Sequence, residues 1–198
     1  MGFKYLKSLL LTCGCLLSML TINELPPEER HKPENVLISG IWGSDSKPHP
    51  NIFLLPMYHD IVKVNKGVSV KPHGTVEEIV VCGFLLFGTC DCPAKSKFMN
   101  MKGHSGYFSC PKCCIKGEKS DRTGKVMVFP HDEDLELRND NNFQVCFNEG
   151  IKSKDGCKGV YGPSILYYMF SGPFIAGMTL DSMHSQFMGK EIIFEAVV

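Results

Sequence analysis

The chain has 198 residues, which is enough to bury a sizeable core in one domain or in one domain with an insertion. Lys and Arg together number 21, as do Asp and Glu, and this balance argues against a strong nonspecific nucleic-acid binder, which normally carries a basic excess. A hydrophobic fraction of 43% and a charged fraction of 21% argue against wholesale disorder.

The N-terminal segment has the layout of a secretory signal peptide. Lys4 and Lys7 precede an apolar run over residues 9–20, which is short for a membrane span. The small-residue cleavage pattern is missing, and the competing interpretation is that residues 16–22 form an ordinary core strand. We therefore expect a nuclear or cytoplasmic protein, with the secretory pathway as the alternative.

Residues 16–102 contain the predicted elements of a mixed α/β (α+β) domain. We expect two strands, then a helix with Asn51 as its N-cap and apolar residues at helical spacing, then two further strands. The predicted bounds are 16–22, 36–42, 51–64, 68–70 and 76–89. The stretch from Ile79 to Thr89 is almost wholly apolar, which predicts a strand buried on both faces.

The rest of the chain is predicted to be less regular. Residues 103–142 are dominated by Gly, Lys, Asp and Asn, which is typical of an irregular insertion, and they include one short strand at 126–129. A polar, Gly-rich linker follows at 150–162, and a final helix is expected at 181–197. The predicted segments are an apolar start at 1–15, a partial core at 16–102, an insertion with its linker at 103–162, and a C-terminal segment at 163–198.

Asp91 is the first candidate site residue, because it directly follows the apolar strand. A carboxylate at the end of a buried strand is well placed to hold a metal at the edge of a core. Pro93 suits the first turn of a helix, where its missing N–H costs nothing. A lysine cluster that is able to contact phosphate follows, although such a run is more often simply solvated; it consists of Lys95, Lys97 and Lys102.

Cys110 and Cys113 form a Cys-x-x-Cys pair, a spacing that lets two thiolates chelate one metal ion from a tight turn. Structural zinc usually takes four ligands, and two histidines are candidates to join the pair. His104 lies six residues before Cys110, and His184 ends the sequence Asp-Ser-Met-His. The alternatives stay open: a turn histidine at 104 that binds nothing, and a packed helix histidine at 184.

Ten cysteines are a high number for a nuclear or cytosolic protein of this length. An even number is also what a disulfide-rich secreted chain would contain. The positions favour reduced thiols with one metal site, because several cysteines lie in apolar runs, where a free thiol behaves as a small apolar side chain. A secreted or membrane-associated Cys-rich protein is the alternative function.

Several segments carry a resemblance to a known family. Around the candidate sites they are CDCPAK, KGHSGYFSCPKC and GEKSDRTGKVMVFP, and on either side they are TINELPPEER, NVLISGIWGSDSKPHPNIFLLP, KGVYGPSILYYM and LDSMH. With these segments in this order over residues 20–189, the chain resembles the transposases of CACTA-type (CMC-related) DNA transposons, which are enzymes of the DDE class.

The resemblance implies a partial RNase H-like fold with an irregular zinc-knuckle insertion. In the family, three acids hold two Mg²⁺ ions for DNA strand cleavage and transfer, and Asp91 matches the second acid. The resemblance also implies structural Zn²⁺ at Cys110 and Cys113, joined by His184 of the D-x-x-H motif.

Two of the family's three acids have no match in this sequence. The first should precede TINELPP, yet residues 1–23 contain no Asp or Glu. The third should lie beyond LDSMH, where Glu191 and Glu195 fit a solvated helix face. We therefore expect a catalytically inactive, transposon-derived fragment that binds DNA weakly, self-associates through an exposed sheet edge, and has no recognisable small-molecule substrate.

Overall fold

The computed structural model describes residues 16–120, 124 and 126–181. The predicted last helix and His184 lie outside the described residues. The chain divides into two compact units, Met1–Asp60 and Ile61–Val198. Among the described residues helices alternate with strands, and every sheet has two strands, so the coarse mixed α and β class is confirmed. No helix in the described ranges is long and apolar enough to cross a bilayer.

The first unit contains an antiparallel strand pair. Strand β1, Leu16–Thr21, pairs with strand β2, Val36–Trp42, and a bulge shifts the register in the middle of β1. A short helix α1, Pro27–Arg30, and a 3-10 turn at Pro33–Asn35 connect the two strands. Both predicted strands are confirmed. They were predictable because their β-branched and apolar residues lie between clear turn signals.

Helix α2, Pro50–Lys66, confirms the predicted helix and corrects its start. It begins at Pro50 rather than after a cap at Asn51, since the fixed φ of proline suits the first helical position. A glycine in β2 lets the helix lie close to the strand: a Cβ on Gly40 would stand 3.1 Å from the Phe53 ring.

A second antiparallel pair follows α2. Strand β3, Val68–Val70, confirms the predicted short strand and pairs with β4, Ile79–Val81. The residues of both strands are exposed. This pair therefore presents apolar surface to its surroundings rather than to a core.

The prediction of one long buried strand over residues 76–89 is wrong. The chain forms two short strands there, β4 and β5, Gly88–Cys90, which belong to different sheets. Between them the backbone N–H of Gly83 donates to the carbonyl of Val64 at the end of α2, at 3.2 Å. At this point the chain has left the β3–β4 pair, and the apolar sequence of the run does not reveal that break.

Strand β5 pairs in parallel with strand β8, Met178–Leu180, and helix α3, Cys92–Phe98, follows β5 directly. The predicted order of strand, Asp91 and helix is confirmed, with a shorter strand. A small antiparallel pair joins β6, Glu118–Lys119, to β7, Met127–Val128. Strand β7 lies within the short strand predicted at 126–129, whereas β6 was not predicted.

Helix α4, Asp140–Gly150, lies where the sequence analysis assigns no helix. A capping box starts it: the Asn139 side chain accepts from the Asn142 N–H at 3.0 Å, and the Asn142 side chain accepts from the Asn139 N–H at 2.9 Å. Its buried face carries Phe143, Cys146 and Phe147.

The Gly-rich segment at 150–162 is a packed turn and not the predicted linker. Cys157 and Val160 exchange two backbone hydrogen bonds of 2.8 Å, and the Val160 side chain is fully buried. Gly156 and Gly159 have positive φ, a conformation that lets the chain turn sharply at low cost. The glycines therefore serve a tight turn rather than a flexible connection.

An aromatic cluster forms part of the core of the second unit. Helix α5, Ile165–Met169, and helix α6, Phe174–Gly177, bring their rings against those of α4. Neighbouring ring centroids lie 4.8–5.8 Å apart, most of them edge to face, along Phe143, Phe147, Tyr167 and Phe174.

We expect Phe143→Ala to lower the free energy of unfolding by about 3–5 kcal/mol, because it opens a cavity in this cluster. Urea denaturation followed by circular dichroism measures the change. Val145→Ala on the same helix is the control, since Val145 is 56% exposed, and it should change stability little. Equal effects of the two substitutions would contradict this placement of the core.

Candidate functional site

Asp91 lies at the junction of β5 and α3, as predicted. It is the N-cap of α3, and its Oδ1 accepts a hydrogen bond from the Ala94 N–H at 2.7 Å. In the parallel β5–β8 pair, Cys90 stands opposite Leu180, so Asp91 and Asp181 are the next residues along the two strands. Two aspartates therefore follow the carboxyl ends of two adjacent parallel strands.

The strand ends also hold a buried lysine and a half-buried thiol. Lys95, one turn into α3, is 2% exposed, and its ammonium donates to the carbonyl of Thr179. Burial raises the pKa of Cys90 to about 11; the Lys95 charge opposes this, while Asp91 and Asp181 add to it. The carboxyl ends of β5 and β8 thus combine the carboxylates of Asp91 and Asp181 with the ammonium of Lys95, whose positive charge offsets part of their negative charge.

The segment Cys110–Cys113, here called the knuckle, brings its two cysteines together. Cys113 is buried and Cys110 is half-buried, and the two thiols form a hydrogen bond with each other. The Lys112 backbone N–H donates to the Cys110 sulfur at 3.4 Å, and the Ile115 backbone donates to the Cys113 sulfur. Such donors favour the thiolate, which is the form that binds a metal.

Burial has the opposite effect on Cys113. It raises the pKa of this thiol above its ordinary value, and the neighbouring Cys110 raises it further. The hydrogen bond from Ile115 and the charge of Arg138 lower it. A metal ion, which binds the deprotonated sulfur, would supply the positive charge that such a buried thiolate lacks.

Of the other predicted ligands, His104 is not grouped with the knuckle. His104 is exposed in a turn in which the Gly106 N–H donates to the Gly103 carbonyl at 2.9 Å, and His184 lies outside the described residues. Within the described ranges, no group of three or more His, Cys, Asp or Glu side chains stands ready to hold a metal. The structure brings together Cys110 and Cys113, and it leaves Asp91 and His104 apart from them.

Arg138 is a central residue that the sequence analysis missed. It is 5% exposed, and its Nε donates to the carbonyls of Cys110 and Cys113 at 2.9 and 3.1 Å. Its Nη2 donates to the carbonyls of Phe108 and Lys158 at 3.1 and 2.7 Å. One guanidinium therefore fixes the backbone on both sides of the knuckle and ties it to the turn after α4.

The knuckle is also tied to α6 and to the start of α4. The Lys112 ammonium donates to the carbonyl of Ile175, and burial, followed by the nearby Lys95 charge, lowers the pKa of Lys112. Both oxygens of Asp140 accept backbone hydrogen bonds, from Phe174 at 2.8 Å and from Ile175 at 2.9 Å. These hydrogen bonds connect the knuckle to α6, and α6 in turn to the first residue of α4.

Comparison of the chain with protein-family models, with curated proteins and with solved structures gave no significant match.

We expect Arg138→Met to lower the free energy of unfolding by about 3 kcal/mol, because it strips charged hydrogen bonds from four carbonyls. Arg138→Lys should lose nearly as much, since an ammonium cannot reproduce the planar fork of donors. Lys154→Met is the matched control, because Lys154 is exposed in the same unit. Urea denaturation compares the three variants, and an Arg138→Met protein as stable as the control would contradict the assigned role.

Proposed function

We propose that the chain is a zinc-binding protein derived from a DDE-type DNA transposase of the CACTA group, and that it does not cleave DNA on its own. The knuckle is the observation that carries the proposal, because its two sulfurs lie together and each accepts a backbone N–H. A reducing compartment, the nucleus or the cytoplasm, suits a site built on thiolates.

Zinc is the metal that best suits the knuckle. Two thiolates at Cys-x-x-Cys spacing are soft ligands, and structural zinc sites are built from such pairs. The hydrogen bonds from backbone N–H groups orient the sulfurs before a metal arrives. His184 and His104 are the proposed further ligands, and His184 has the additional support of the D-x-x-H resemblance.

The strand ends around Asp91 support an RNase H-like origin. Parallel strands normally belong to larger sheets covered by helices, and β5 and β8 form a parallel pair with α3 directly after β5. Two strands are few for such a sheet, so unpaired edges remain within the described residues. We propose that these edges mediate self-association, since unpaired backbone groups are a template for pairing with another chain.

The contacts of Asp91 support the proposal that the chain does not catalyse DNA strand cleavage. Strand cleavage of the DDE type needs carboxylates that converge on two metal ions about 3.5–4 Å apart. One oxygen of Asp91 already accepts the Ala94 N–H, and the Lys95 cation lies one turn away. Asp181 supplies a second carboxylate at the adjacent strand end, and the resemblance gives it no catalytic role.

DNA binding is proposed to be weak, because the lysine cluster is only partly available. Lys95 is buried and bound to Thr179, so it cannot contact phosphate. The Lys102 ammonium lies 3.9 Å from a carboxylate oxygen of Asp155. Lys97 is the exposed member of the cluster. One or two lysines supply little of the phosphate contact that nonspecific binding requires.

Purified protein is expected to carry about one zinc ion per chain, and Cys110→Ser and Cys113→Ser should each lose it and lower the melting temperature. Metal analysis by mass spectrometry and thermal denaturation measure both effects. Cys82→Ser is the control, because Cys82 is an exposed free thiol of the same unit. A zinc-free protein whose stability is unchanged in Cys110→Ser would rule out the site, and several disulfides in a thiol titration would favour the secreted alternative.

We expect no cleavage when the protein is incubated with transposon-end DNA and Mg²⁺ or Mn²⁺, because Asp91 is the one residue that matches a catalytic acid. Gel analysis of end-labelled DNA tests this, with a metal-dependent nuclease as the positive control. Asp91→Ala should behave as the unsubstituted protein does. Cleavage by the unsubstituted protein that vanishes in Asp91→Ala would show that the chain is an enzyme.

A further inference from the structure

A second pair of cysteines lies apart from the knuckle. Cys146, on the buried face of α4, is 4% exposed, and its sulfur lies 3.4 Å from the sulfur of Cys157. The Cys157 thiol is half-buried and also donates to the Glu149 carboxylate at 3.0 Å. A disulfide bond is about 2.05 Å long, so the sulfurs need to approach by about 1.4 Å, which small side-chain rotations provide.

The short distance follows from the way the backbone packs. A Cβ on Gly150, the last residue of α4, would stand 2.3 Å from the Val160 carbonyl oxygen, so the helix end and the turn are in direct contact. A Cβ on Gly156 would stand 2.5 Å from the same oxygen. Since Cys157 and Val160 also exchange two backbone hydrogen bonds, the Cys157 backbone is held in place beside α4.

We propose that Cys146 and Cys157 form a disulfide when the chain meets a small-molecule disulfide such as oxidised glutathione. The Cys157 thiolate attacks one sulfur of the oxidant, which releases one glutathione thiolate and leaves a mixed disulfide on Cys157. The Cys146 thiol then loses its proton and attacks the Cys157 sulfur, which releases the second glutathione. The two protein thiols are oxidised, and one oxidised glutathione becomes two reduced molecules.

The order of these steps follows from exposure. Cys157 is the accessible partner, and Cys146 is buried behind it. Burial, and after it the hydrogen bonds to Glu149 and Cys146, raise the pKa of Cys157 to about 12. The neighbouring Lys158 is paired with Glu136. At neutral pH the Cys157 thiol is therefore protonated, and its attack on the oxidant should become faster as the pH rises towards 12.

Oxidation would join α4 to the turn that Arg138 also holds. The backbone carbonyl of Lys158, the residue after Cys157, accepts the shortest of the four Arg138 hydrogen bonds, at 2.7 Å. A cross-link one residue away braces this contact and closes a small covalent ring, which restricts the unfolded chain. A metal at this pair would need more ligands, and no ready group of three is found in the part of the chain that the structure describes.

Tryptic peptide mapping tests the proposal directly, because Cys146 and Cys157 fall in different peptides, 139–152 and 155–158. The full chain is incubated with oxidised glutathione at pH 7 and pH 9, alkylated, and digested without reduction. We expect a linked 139–152/155–158 peptide, the loss of two free thiols, faster formation at pH 9, and a melting temperature several degrees higher than that of the reduced protein.

Three variants make the result specific. Cys157→Ser should abolish the linked peptide, and this half-exposed position tolerates the change without loss of fold. Cys114→Ser should leave the link intact, although Cys146 lies close enough to Cys114 to add to the burial that raises the pKa of the Cys114 thiol. Cys110→Ser should also leave it intact, which separates this proposal from the zinc site. A Cys114–Cys146 link, a mixed disulfide that persists on Cys157, or no linked peptide would overturn the proposal.

Discussion

The second unit depends on one buried cation, the guanidinium of Arg138. A buried charge is costly unless hydrogen bonds replace its lost water, and here four backbone carbonyls bind Nε and Nη2, while the buried Nη1 has no hydrogen-bond partner among the described residues. These carbonyls belong to the knuckle, to Phe108 before it and to the turn after α4. Burial raises the pKa values of Cys113 and Cys114, and the Arg138 charge opposes that rise in both. The residue that shapes the knuckle backbone therefore also favours thiolates within it.

Polar side chains and aromatic rings hold this unit together in complementary ways. The rings around Phe143 pack against one another, while Lys95, Lys112 and Asp140 bind backbone groups of residues 174–179. These three side chains fix the α6–β8 segment, and through it the parallel pairing with β5. The position of Asp91 beside Asp181 is thus a consequence of buried lysine contacts as well as of strand pairing.

Local signals made several elements predictable. Strands β1 and β2, helix α2 and the junction at Asp91 follow from turn residues, apolar spacing and a proline in a first helical turn, all of which act over a few residues. Helix α4 was also accessible by the same means, because Asn139 precedes apolar residues at 143, 146 and 147. The buried strand at 76–89 failed because an apolar run specifies hydrophobicity, and only the tertiary structure decides whether anything covers it.

By itself, the sequence determined the knuckle spacing, the carboxylate at the end of β5 and the order of the main elements, because backbone geometry fixes these over short separations. It did not determine that Arg138 would reach carbonyls 20 to 30 residues away, or that Lys95 would be buried. Nor did it pair Cys146 with Cys157, since that contact exists only because Gly150 lets α4 touch the turn. Contacts between distant segments depend on how the elements pack, and only the tertiary structure supplied that packing.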